Sequence, residues 1–217
     1  MEIIKLDQTD SPDNFIQIAR LHIAEIHHGF LSLMGVKFLS KLYQELSLAP
    51  FTGIWIAVDG AKILGFIAGS GYVARSYYSV MKRAGFSLAF QALHSISNPE
   101  VMKKLPTILY YPFRNRRHST NGDEQGEKAE LLAIAVESHM QGRGIGRLLV
   151  QNLEIAFIEW GRKDKYYVAT NSDDPNSNEF YRKLGFVPYC EEKHNDLILQ
   201  VYQKAIEIKI FQKDPYE

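Results

Sequence analysis

The run Gln141-Gly142-Arg143-Gly144-Ile145-Gly146-Arg147 constrains this chain more than any other stretch. An apolar segment, Leu131-Leu132-Ala133-Ile134-Ala135-Val136, precedes it. A helically spaced stripe of Ile145, Leu148, Leu149, Leu153, Ala156, Phe157 and Trp160 follows. That order predicts strand, glycine-rich loop, helix. Several backbone N–H groups then converge where a helix dipole is positive, an arrangement that holds a pyrophosphate. Side chains in place of the glycines would keep a phosphate from the amides. The first expectation is therefore a phosphate-bearing cofactor at residues 141–147.

Two common phosphate loops do not fit. A Walker loop needs Gly-Lys-Ser/Thr after its second glycine, where this chain has Gly146-Arg147-Leu148. A dinucleotide fingerprint needs a glycine where Arg147 stands, and an acidic residue closing a second strand; Asp164 precedes its strand instead. The pattern that fits is Gln/Arg-x-x-Gly-x-Gly/Ala, read from Gln141 to Gly146. It resembles the acyl-CoA-binding loop of the GCN5-related N-acetyltransferases, the GNAT superfamily. A second block supports the resemblance, Asp174-Pro175-Asn176-Ser177-Asn178-Glu179-Phe180-Tyr181-Arg182-Lys183-Leu184-Gly185-Phe186. It looks like the family's late helix, whose Tyr-x-x-Leu-Gly-Phe ending carries the usual catalytic tyrosine. The order and separation of the blocks also match. The resemblance covers residues 129–203 well and the first seventy weakly.

A chain of 217 residues fits one large domain, or one domain with an insertion. Zero formal net charge gives no bulk electrostatic reason to expect a nucleic-acid or membrane partner. Cys190 is the only cysteine, so no internal disulfide forms. Met1-Glu2-Ile3-Ile4-Lys5 lacks the basic-then-apolar pattern of a signal peptide, and no stretch reaches the roughly 18 apolar residues of a membrane span. A cytoplasmic location is the simplest expectation.

Residues 2–6 read as a short strand. Ser11-Pro12 should open a helix running to about His27 along Phe15, Ile18, Ala19, His22, Ile23 and Ile26, and a second helix should start near Gly35. Ile54–Val58 and Lys62–Ala68 flank Asp59-Gly60, a hairpin signal. Lys165–Thr170, Phe186–Cys190 and Leu197–Tyr202 read as the last strands, with Asp174-Pro175 capping the helix between the first two. The resemblance implies one α/β domain over residues 1–217, a GNAT-like mixed and strongly bent sheet flanked by helices. Residues 72–128 exceed that scheme and read as a helical insertion. In it Phe86, Ala89, Phe90 and Leu93 form one helix face, Asn98-Pro99 starts another helix that ends at Leu105-Pro106, and residues 121–127 form a polar loop.

Acetyl transfer from a thioester to an amine needs a proton acceptor for the amine, a donor for the carbonyl oxygen and an acid for the thiolate. The resemblance implies pyrophosphate contacts from Gln141, Gly142, Arg143, Gly144, Ile145, Gly146 and Arg147. It implies main-chain contacts from Ile134, Ala135 and Val136 to the pantetheine of acetyl-CoA. Tyr181 resembles the tyrosine that protonates the departing thiolate. Asp174 stands where many relatives carry a CoA-contacting asparagine; an aspartate caps a helix equally well but only accepts, so Asn171 or Asn178 is expected to supply the donor. Glu130, eleven positions before Gln141, stands where family members often place a glutamate base; Glu137 and His139 are weaker candidates. His27, His28 and Phe30 border the expected acceptor pocket.

No metal is expected, since adjacent histidines without further ligands make no site and no H-E-x-x-H occurs. No Gly-x-Ser-x-Gly elbow suggests a serine hydrolase. The acceptor is expected to be a small-molecule amine, with amino sugars and polyamines among the options. Between Arg75 and Arg117 the insertion carries Arg75, Lys82, Arg83, Lys103, Lys104, Arg114, Arg116 and Arg117 against Glu100 alone, and an acidic run follows at 123–130. That excess suits an anionic acceptor, the 3′-phosphate of CoA, or solvated helix faces. A homodimer contact through Tyr77, Tyr78, Phe86 and Phe90 is the rival use of the segment. A non-catalytic acyl-CoA sensor or scaffold is the alternative from another functional class.

Overall fold

A computed structural model describes residues 1–7, 10–26, 29–95, 128–162, 164–194 and 197–206. Ser11 caps the first helix, α1 (Pro12–Glu25), its side chain accepting from the Asp13 N–H at 3.3 Å. Pro12 occupies the first helical position, where a missing N–H is tolerated. A short unanticipated helix, α2 (Phe30–Leu33), precedes α3 (Gly35–Ser47). The first strands are β1 (Glu2–Lys5), β2 (Thr52–Asp59) and β3 (Lys62–Ser70). Asp59 pairs with Lys62, so the two turn residues are Gly60 and Ala61, one position later than the sequence suggests. The left-handed conformation falls on Gly60, at φ 60°, which leaves Asp59 free to stay in the strand.

A single helix, α4 (Val73–Ser95), follows β3. Its buried stripe is Ser76, Val80, Ala84, Leu88 and Ala92 at four-residue spacing. Phe86 and Phe90, read from the sequence as part of one helix face, lie off this stripe, 90% and 56% exposed. Arg83 fixes which side faces inward, donating from Nε to Glu45 Oε2 at 3.2 Å and from Nη1 to the Leu48 carbonyl at 3.0 Å on the α3 side. The expected second helix at 99–105, the polar loop at 121–127 and Lys103, Lys104, Arg114, Arg116 and Arg117 all lie outside the described residues.

The chain continues as β4 (Ala129–Val136), α5 (Ile145–Glu159), β5 (Lys165–Asn171), α6 (Pro175–Lys183), β6 (Val187–His194) and β7 (Leu197–Ala205). The strands form one sheet in the order β1-β2-β3-β4-β5-β7-β6. β4 and β5 are parallel neighbours, while the other pairs are antiparallel. One face packs on α1, α3 and α4 through residues such as Ile18, Leu39, Phe66 and Leu88. The other packs on α5 and α6 through Leu149, Leu153, Phe157, Tyr166 and Tyr202. Each fully buried Leu or Phe stabilises by about 1.5–3 kcal/mol. Truncating Leu149, which is 0% exposed, to alanine should cost about 2–5 kcal/mol.

β4 and β5 pair only at Ala129–Tyr166 and Glu130–Tyr167. Just beyond, the β3–β4 register passes from Gly69–Leu131 to Ala68–Ala133. Leu132 is thus an extra residue, a bulge that bends β4 where it parts from β5. A wedge-shaped gap opens in the middle of the sheet.

Candidate active site

The loop after β4 presents amides at the wide end of that gap. Gly144, left-handed at φ 82°, is the N-cap of α5, and the Leu148 N–H to Gly144 carbonyl bond at 3.1 Å is the first of the helix. The N–H groups of Ile145, Gly146 and Arg147 therefore have no intrahelical acceptor and lie at the positive end of the α5 dipole. A Cβ built on Gly142 or Gly144 meets nothing within 4 Å, so the space over the loop is open to a ligand. These residues fit a pyrophosphate. Within the loop, the Gln141 Nε2 donates to the Val136 carbonyl at 3.0 Å. Ser138 donates to Glu25 from its N–H at 3.0 Å and its hydroxyl at 2.9 Å, tying the loop to the end of α1. Glu25 had no local sequence signal.

β3 takes one edge of β4, and past Glu130 the other edge has no strand partner among the described residues. Ile134, Ala135 and Val136 lie on this free stretch, where main-chain groups can pair with an extended ligand. The Gln141 side chain already engages the Val136 carbonyl, which leaves Ile134 and Ala135 as the better placed of the three.

Across the gap, α6 carries Tyr181. Asp174 caps α6, accepting from the N–H groups of Asn176 at 3.1 Å and Ser177 at 3.2 Å and from the Ser177 hydroxyl at 2.6 Å. Asn178 is 4% exposed and fully engaged. Its amide donates to the carbonyls of Asn171 (2.9 Å), Ser172 (3.2 Å) and Asp174 (2.6 Å), and its oxygen accepts from the Tyr202 hydroxyl at 2.8 Å. Every polar atom of the Asn178 side chain thus has a protein partner. Asn171 accepts from the Asp173 N–H at 3.1 Å. Tyr181 is 6% exposed and packs its ring against Phe180, Phe186 and Tyr202. Burial, with the Asp174 carboxylate nearby, pushes its phenol well above the usual value, so the hydroxyl stays protonated.

Glu130 lies where β4 and β5 last pair. Ala129 and Leu131 belong to the α5 side of the core, so strand alternation turns Glu130 to the opposite face, toward α4. Its side chain keeps some contact with solvent yet is surrounded by protein on most sides, and that packing decides its titration. Burial first, then the like charge of Glu192, push the carboxyl up to about 7, with Lys128 opposing. Glu130 and Tyr181 thus lie on opposite faces of the sheet. A donor on one side and an acceptor on the other suit a proton-coupled transfer between two ligands meeting in the gap.

The weaker base candidates lie elsewhere. Glu137 pairs with Lys62 at 2.8 Å and with His139 at 3.3 Å. Both Glu137 and His139 line a separate cleft of about 360 Å³ beside α1, with Gln17, Arg20 and Glu25; neither Glu130 nor Tyr181 lines it. His27 and His28 fall outside the described residues, and Phe30 opens α2. Among the described residues no group of three or more His, Cys, Asp or Glu is arranged to hold a metal ion. No described helix is long and apolar enough to cross a membrane.

This architecture has known counterparts. An aminoglycoside 6′-N-acetyltransferase solved in complex with coenzyme A is 16% identical over 95% of this chain and 98% of its own, with a TM-score of 0.58. An N-acetyltransferase from Staphylococcus aureus Mu50 is 12% identical over 95% and 100%, with a TM-score of 0.57. The ribosomal-protein-S18-alanine N-acetyltransferase from Escherichia coli is 13% identical over 95% and 94%, with a TM-score of 0.52. At such identities the likeness is one of fold. Among curated proteins no sequence matches. The model of the Acetyltransferase (GNAT) family matches residues 23–186, three-quarters of the chain and both blocks around the gap. The chain belongs to the GNAT acetyltransferase family.

Proposed function

We propose that this protein is an N-acetyltransferase that moves an acetyl group from acetyl-CoA to a primary amine of a small molecule, an amino sugar being one candidate class. The observation that carries this reading is the wedge between β4 and β5, with open amides at one end, a protonated buried tyrosine on one face and a near-neutral carboxyl on the other. Acetyl-CoA supplies the activated thioester. The α5 amides hold its pyrophosphate, and the free edge of β4 at Ile134 and Ala135 aligns the pantetheine. Glu130 takes the proton that the acceptor ammonium must lose before its nitrogen attacks the thioester carbonyl, and as the C–N bond forms and the C–S bond breaks the Tyr181 hydroxyl gives a proton to the departing thiolate. Neighbours solved with coenzyme A, and those named for aminoglycosides, support the cofactor and the small-molecule class of acceptor.

The test is release of free CoA from acetyl-CoA by the full chain in the presence of amino sugars, polyamines and peptide N-termini. At least one small amine should raise release well above hydrolysis in buffer. Thermal stabilisation by acetyl-CoA with no release across the panel would favour the sensor reading.

A further inference from the structure

The segment after β3 is where this chain exceeds the minimal fold, and its first turns lie against the start of β4. The Val73 N–H donates to the Lys128 carbonyl at 3.2 Å. Ser76 and Ser70 share a hydrogen bond of 2.8 Å between their buried hydroxyls. Ser76 also donates to the Pro50 carbonyl at 3.2 Å. Ser70 is the cross-strand partner of Glu130. The α4 backbone is thus fixed at both the residue before β4 and the neighbour of Glu130. Tyr77 follows Ser76 directly, is half-buried, and belongs to the helix that covers the sheet face to which Glu130 turns.

We propose that Tyr77 is a positioning residue for Glu130, its ring closing the carboxyl off from water on the α4 side of the gap. The proposal rests on the acetyltransferase reading for its purpose, since a base in that reaction must be unprotonated near neutral pH yet hold the proton it takes. Electrostatics agree with the placement: the phenol of Tyr77 is pushed far up by burial and then by the Glu130 carboxylate. Among the described residues, the charged groups that act on Glu130 are Glu192 from β6, which raises its pKa, and Lys128, the residue just before β4, which lowers it. Neither belongs to α4. What α4 contributes is exclusion of water, the larger cause. An exposed glutamate in the same charge setting would be fully ionised at neutral pH and a weak base. Residues after β3 that look like surplus length would then set the proton affinity of the reaction centre.

The test is a carbon-13 NMR titration of glutamate carboxyls in the full chain, with Glu130 assigned by its loss in Glu130→Gln. The wild-type midpoint should fall at about 7. Tyr77→Ala and Tyr77→Leu should each lower it by about one pH unit or more as water reaches the carboxyl. Tyr77→Phe keeps the ring and should keep the midpoint. A folded Ala or Leu variant that titrates like wild type overturns the proposal, as does a Phe variant that falls as far as Ala. No acceptor is needed, so the two readings fail separately. Shifted midpoints with no acetyl transfer would sink the function alone; transfer with unmoved midpoints would sink the role of Tyr77 alone.

Discussion

A Cβ placed on Gly146 would stand 2.9 Å from Cε2 and 3.0 Å from Cζ of Phe180. The second helical residue of α5 is therefore in contact with the helix that carries Tyr181. The sequence suggests that Gly146 is needed to let a phosphate approach, but the structure adds a packing reason. With a side chain at this position, the Phe180 ring must move from where it packs.

Gly146→Ala should accordingly destabilise by about 1–3 kcal/mol through overpacking. It should also weaken acetyl-CoA binding by about tenfold or more as the α5 amides shift. Phe180→Ala in the same chain should restore much of both. Calorimetry and thermal unfolding of the single and double variants give the coupling. Additive effects would return Gly146 to a purely local role in the amide cradle.

The loop and the Tyr181 block were legible because each signal lies in contiguous residues: glycines before a periodic helix, and Asp-Pro before a short one. The wedge was legible only through the resemblance. Other features depend on partners far along the chain. Glu25 holds Ser138 across 113 positions, and Asn178 meets Tyr202 across 24. The phenylalanines of α4 read as one helix face, while Arg83 and the Ser70–Ser76 bond turn the stripe of Ser76, Val80, Ala84, Leu88 and Ala92 inward. Apolar periodicity gives a face without saying what covers it.

His22 gives a prediction about acid stability. It is 3% exposed, shares a 2.6 Å hydrogen bond with the Tyr43 hydroxyl and stacks on Phe66. Burial lowers its pKa from 6.5 to about 4. Between those values the unfolded chain binds a proton that the folded chain does not, so stability falls as pH drops from 6.5 toward 4. The loss from this group between pH 7 and 5 should be about 2 kcal/mol. Urea midpoints of wild type and His22→Phe at the two pH values measure it; an equal change in both proteins refutes the assignment.

Asn178→Leu keeps similar volume but strips the Tyr202 hydroxyl and three carbonyls of a shared partner. Leaving buried polar groups unpaired costs about 1–3 kcal/mol each, so the variant should lose at least that much stability. Its CoA affinity should fall less than that of Gly146→Ala. A chain as stable as wild type, with CoA binding abolished, would instead make Asn178 a cofactor contact.

Tyr181→Phe removes only the hydroxyl and leaves the contacts with Phe180, Phe186 and Tyr202 in place. Turnover should drop by about one to three orders of magnitude, with acetyl-CoA affinity little changed. Measurement under conditions where chemistry limits the rate is essential. Unchanged turnover there would make Tyr181 a core residue and nothing more.

Glu130 should show itself in both activity and stability, with opposite signs. Its folded pKa of about 7 lies above the ordinary 4.5. As a base it must be ionised, so kcat/KM should rise with pH and level off above about 7. For stability, the folded chain retains a proton between pH 4.5 and 7 that the unfolded chain has already lost. The ionised carboxyl therefore disfavours the fold; this penalty is absent below about 4.5, grows through the interval and is complete above about 7. Glu130→Gln should lower turnover and remove the rising limb of the rate profile. The same variant should be more stable than wild type at pH 8, by a margin that shrinks toward pH 4. Denaturant unfolding across that range, together with the rate profile, is the check. A Gln variant that keeps the wild-type rate profile, or whose stability difference does not change with pH, would remove Glu130 from the role of base.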